Sequence, residues 1–185
     1  MKKIIGPLLI ILVIGGIGGG IWLVNRNLKH KDEVKEYKKT LKGVMSTLSK
    51  DTDDVEKAIK ELLTEWEVTA RAYGSSEIGK GALEDVLNQT EQKNRRETLL
   101  KQLKVRSDDR KNLLKKIEDY PKGEKALCDD VLEYWDIFCS MADTYANITL
   151  VKSYEACATN FAAESARKAE LYDKIMKQIV ELSED

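Results

Sequence analysis

Residues 34–73 read VKEYKKTLKGVMSTLSKDTDDVEKAIKELLTEWEVTARAY, and one periodicity runs through the whole stretch. Val34, Tyr37, Leu41, Val44, Leu48, Thr52, Val55, Ile59, Leu62, Trp66, Ala70 and Tyr73 recur at alternating steps of three and four residues. Such steps place side chains on one stripe of an α-helix, the pattern that coiled coils and bundle helices share. Ser49 to Asp54 is polar, and Asp51 or Thr52 has the chemistry to cap a new helix start. The stripe passes through in register, so the spacing predicts one long amphipathic helix.

Three further segments follow. Gly74-Ser75-Ser76-Glu77-Ile78-Gly79-Lys80-Gly81 holds three glycines and two serines in eight residues and reads as a loop. Leu83, Val86 and Leu87 open a second helix whose middle, Asn88 to Thr98, is nearly all polar and offers only a thin seam. Leu99, Leu100, Leu103, Leu113, Leu114 and Ile117 restore the stripe, with Ser107 placed to restart the helix. Tyr120-Pro121-Lys122-Gly123 ends it, because proline cannot continue the hydrogen-bond ladder and glycine permits the turn. From Glu124 to Leu182 the helical period never clearly fails. A single helix there would be about 90 Å long. A hairpin turning near 146–150 gives four better-matched helices and is favoured. Trp135 and Phe138 fall on the core stripe of this region, and Tyr134, one step off it, is expected at the surface. The predicted fold class is all-α: an N-terminal membrane helix followed by an antiparallel bundle of three to four long helices.

The membrane helix is predicted from the other end of the chain. Ile4 to Val24 is apolar without a charge. Twenty-one helical residues span roughly 32 Å, the thickness of a bilayer's hydrocarbon core. Residues 1–24 therefore read as an anchor, 25–33 as a basic juxtamembrane neck, and 34–185 as the bundle domain. Gly15, Gly16, Gly19 and Gly20 share one stripe and form two overlapping G-x-x-x-G pairs, the spacing at which membrane helices pack and a homodimer forms. A cleaved signal peptide is the rival reading, with Gly18 and Gly20 at the cut. Against it, Ile21-Trp22-Leu23-Val24 prolongs the apolar run past that point. Orientation cues conflict: the short leader resembles an export signal, whereas the lysine-rich neck obeys a positive-inside pattern. An extracytoplasmic C-terminal domain on a single-pass cell-membrane protein is the expectation.

Composition narrows the function classes. Removing Lys2 and Lys3 from 31 Lys and Arg leaves 29 against 32 Asp and Glu, without the basic excess that nucleic acid requires. The lone histidine, His30, sits in the neck, so neither a histidine-assisted nucleophile nor a helical di-iron site can be assembled. Gly79-Lys80-Gly81 lacks the spacing of a phosphate loop. No enzyme, metal or cofactor is predicted. Cys128, Cys139 and Cys157 lack zinc spacing. Cys139 and Cys157 are equidistant from Ile148, so a hairpin pivoting there would bring them together as a disulfide.

Two functions follow from these features. The first is a membrane-anchored adaptor, assembly or structural module that offers its bundle surface and tip loop to a protein partner. Ser75, Ser76, Glu77, Ile78 and Lys80 are the candidate contacts, roughly 60 Å from the membrane. The second is an extracytoplasmic sensor that binds a small molecule in a cavity among Tyr134, Trp135, Phe138, Tyr145, Tyr154, Phe161 and Tyr172.

Overall fold

The computed structural model describes residues 5–74, 79–105, 107–151 and 153–180, with side chains from Leu28 onward except at Lys80 and 104–110. Within these residues the chain is all-helical. Helix α1 is Ile5–Ala72, α2 Lys80–Asn88, α3 Thr90–Val105, α4 Ser107–Glu118, α5 Lys125–Ala146 and α6 Tyr154–Val180. α1 is the spine. The α2–α3–α4 arm descends one side of it, α5 rises parallel to α1, and α6 descends against both.

The periodicity explains the spine. Tyr37, Leu41, Val44, Leu48, Thr52, Val55, Ile59, Leu62, Trp66 and Ala70 are all buried on one face of α1. Burying each of the larger apolar side chains contributes roughly 1.5–3 kcal/mol. The polar Ser49 to Asp54 stretch does not interrupt the helix. Thr52, fully buried, donates its hydroxyl to the Leu48 carbonyl at 2.6 Å and so needs no partner from another helix. α1 ends where Gly74 takes a left-handed φ of 68° and its N–H bonds the Arg71 carbonyl. Tyr73, the last residue on the predicted stripe, lies beyond that end and is exposed.

The second arm is more divided than its sequence suggests. A helix restarts at Ser107, as expected, but the chain also breaks at Gln89, which is extended (φ −62°, ψ 132°). The polar run beginning at Asn88 supplies too little buried surface to hold one long helix in register. Pro121 and Gly123 make the next turn, with Gly123 at φ 101°. Tyr37 closes the end of α4 by donating its hydroxyl to the Ile117 carbonyl at 2.8 Å.

The C-terminal region is a hairpin. α5 stops at Asn147, whose N–H bonds the Asp143 carbonyl, and a single 3-10 turn, Ile148–Leu150, follows. Ser153 then starts α6, its hydroxyl accepting the Ala156 N–H. Trp135 and Phe138 are core residues. Tyr134 is also buried, at 1% exposure, contrary to its expected surface position. α5 packs against both α1 and α6, so its apolar face is wider than one stripe.

Candidate functional site

The tip is held at its root. Trp66, packed edge-on against Tyr154 at 5.2 Å, donates its indole N–H to the Gly79 carbonyl at 2.9 Å. Ala82, Leu83 and Val86 bury the start of α2 in the bundle, and Tyr73 bonds Asp85. Ser75, Ser76, Glu77 and Ile78 lie outside the described residues, as does the side chain of Lys80. Gly15, Gly16, Gly19 and Gly20 belong to α1, but side-chain surroundings before Leu28 lie outside the description. Among the described residues no helix is long and apolar enough to cross a membrane.

Below the tip, α6 is locked to its neighbours at three levels by polar groups. At the upper level, Tyr154 donates to Glu67 at 3.2 Å, and Glu67 also pairs with Arg71. At the middle level, Lys168 reaches Asp53 at 2.7 Å and also bonds Glu56. The buried Tyr134 hydroxyl lies close to Thr52 beside them. At the lower level, Lys38 donates to the Gln178 carbonyl at 2.7 Å and faces Glu124 at 3.8 Å. Asp130 there accepts from Lys174 at 2.7 Å and from Gln178 at 2.8 Å. Lys38 thus occupies the cation-favouring C-terminal end of α6.

The middle level holds one cation between two carboxylates. Burial works against the charge on Lys168, yet hydrogen bonds and attraction from Asp53 and Glu56 hold its pKa above the ordinary lysine value. Burial likewise opposes the Glu56 charge, but the bonded ammonium of Lys168 and the nearby Lys60 bring that carboxyl below its ordinary value. The pair is a fastener between α1 and α6. Its signal lay in the sequence: Lys168 sits seven residues from both Phe161 and Ile175, on the buried face of α6.

The cysteines do not meet. All three carry thiols rather than bridges. Ser140 donates to Glu164 and Arg167 to Glu133, which fixes the hairpin register. Cys157 lies seven positions from Glu164, about 10 Å along α6 from the level of Cys139. That offset is too long for a disulfide. The expected pairing assumed a pivot at Ile148, whereas the 3-10 turn and Ser153 move the pivot later in the chain.

Of the seven aromatic side chains expected around one cavity, Tyr134 and Phe138 are buried in the core, with Trp135 edge-on to Phe138 at 6.0 Å, whereas Phe161 does line a cavity. That cavity, of about 250 Å3, lies at the turn end of the hairpin. Ile59, Val151, Cys157 and Phe161 form its inner wall; Thr144, Ser153, Asn160 and Glu164 contribute polar groups. Burial, reinforced by Glu164, pushes the Cys157 thiol upward, so it remains protonated and apolar in character. Among the described residues no three His, Cys, Asp or Glu side chains converge as a metal site requires. No protein-family model matches the chain, and neither the curated proteins nor the solved structures compared with it contain a match.

Proposed function

We propose that the chain is a non-catalytic, membrane-anchored interaction module that carries a helical bundle on a rigid stalk and presents its bundle surface and the 74–81 tip to a protein partner. One observation carries this reading: α1 is continuous from Ile5 to Ala72. The apolar run read from the sequence as an anchor would therefore lead from Ile5 without a joint into the spine of the bundle. From Val24 to Ala72 the helix rises about 72 Å, which sets the tip well clear of a membrane surface. Loops at such positions are free to carry recognition, while the bundle below supplies the scaffold. The anchor glycines would pair two copies, and the domain would face outward from the cell membrane.

Protease treatment of intact cells carrying a C-terminal tag tests the placement. Loss of the tag without lysis, with the chain resisting alkaline extraction, is the expected result. Release of the chain by alkaline extraction would remove the anchor. Replacing 75–78 with a glycine–serine run should then abolish co-purification of the partner while leaving the melting temperature unchanged. Retention of the partner would move the contact off the tip.

A further inference from the structure

The cavity at the turn end of the hairpin has a composition that selects a ligand. Its inner wall is apolar and comes from three places: Ile59 on α1, Val151 in the crossover, and Cys157 with Phe161 on α6. A dry apolar cavity of about 150 Å3 suffices to hold a benzene ring. At about 250 Å3 this one has room for a ring with a short chain. Among the described lining residues only Glu164 carries a charged group, and its carboxylate already accepts one hydrogen bond from Ser140. A carboxylate offers several acceptor positions, so it can bind a second donor. The C-terminal end of α5 and the N-terminal end of α6 meet at this point, so their helix-end fields oppose one another. Among the described residues that leaves Glu164 as the charge that sets the preference, with Asn160, one helical turn away, able to add a polar contact to a head group.

We propose that this cavity is a binding site for a small organic ammonium ion with an apolar body, of the arylalkylamine class, its ring against Phe161 and Ile59 and its ammonium group on Glu164. The site joins α1, α5, α6 and the crossover, so an occupant would tie the hairpin to the spine between the upper and middle polar fasteners. It stands independently of the anchor and of the tip.

The test uses the full chain in lipid nanodiscs and three probes of one shape: 2-phenylethylammonium, 2-phenylethanol and 3-phenylpropanoate. Cys157 lines the cavity, so its modification by N-ethylmaleimide, read by peptide mass spectrometry, reports occupancy there. The ammonium probe at twice its dissociation constant should slow Cys157 modification about threefold, by mass action. Cys128, buried elsewhere, should not respond. The alcohol should protect less and the carboxylate not at all. Glu164→Gln should reduce the ammonium probe to the level of the alcohol. Ala156→Phe, at an exposed lining position, should fill the space and abolish protection by every probe. Equal protection by the ammonium and the alcohol, or none by either, would overturn the proposal, and this comparison requires no variant. So would an ammonium preference that survives Glu164→Gln in a folded protein.

Discussion

The two arms that pack on α1, residues 80–118 and 125–180, have opposite construction. The α5–α6 hairpin buries Leu127, Val131, Tyr134, Phe138, Met141 and Tyr145 from its first helix alone, and polar groups fasten its second helix at three levels. The α2–α3–α4 arm is cut twice. Its middle helix, α3, buries the polar Gln92 and leaves Leu99, Leu100 and Leu103 only half-covered. Arg96 donates one N–H to the Ala146 carbonyl at 2.6 Å, yet its buried Nε has no partner among the described residues. A helix exists in both places, but only one has an apolar face wide enough to hold it. Position along the spine does not explain the contrast, because α3 and α6 lie beside the same stretch of α1; the buried side chains do.

Core truncations should show the largest difference. Phe138→Ala, at a site with no exposure, should destabilise by about 3–5 kcal/mol, whereas Leu100→Ala on α3 should lose about 1–2. Urea unfolding monitored by circular dichroism measures both, and equal losses would break the contrast. Hydrogen exchange should sharpen it. Amides of α3 should exchange about a hundredfold faster than those in the middle of α5 and α6, through local opening that leaves the hairpin intact. Uniform protection across the three helices would mean that the arm and hairpin unfold as one unit.

The fastener at Lys168 should come next. Lys168→Ala leaves Glu56 and Asp53 facing each other without their cation and should destabilise by about 2–3 kcal/mol. Lys168→Met combined with Glu56→Gln should recover part of that loss. The smallest effect is the pH dependence of the same contact. The Glu56 pKa is lowered in the folded chain, so its contribution is present above the ordinary value of 4.5 and disappears as pH falls through the lower folded value. The Lys168 pKa is raised, so its contribution is complete below 10.5 and disappears as pH rises beyond that. Glu56→Gln should therefore flatten the acid limb of a stability–pH curve; an unchanged limb would assign acid sensitivity to other carboxylates.

The spine and the Pro121–Gly123 turn were legible because local chemistry suffices for both. Every three- or four-residue step from Tyr37 to Ala70 lands on a residue that packs, and proline followed by glycine stops a helix in any context. The break at Gln89 carries no such punctuation. It arises because the polar run there has little to bury, a property of the whole arm rather than of one residue. On α6, Cys157, Phe161, Leu171, Ile175 and Ile179 are buried. Its buried face contains Lys168 and borders Glu164, whose charges mask the stripe until their partners on α1 and α5 are known. Tyr134 was misplaced for a related reason: a helix contacted from two sides buries more than one stripe. The cavity was invisible from sequence, since its walls come together only through the hairpin register.

The unbroken α1 also has a mechanical consequence. At 3.6 residues per turn, one residue added between Leu28 and Glu36 would turn the bundle by about 100° against everything before the insertion, while lifting it only about 1.5 Å. Two added residues would turn it by about 200°, and seven would restore nearly the original heading at a height of about 10 Å. The helix is in this sense a keyed shaft, converting chain length into azimuth. Any neighbour fixed at its lower end would meet a face of the bundle chosen by the residue count of the neck.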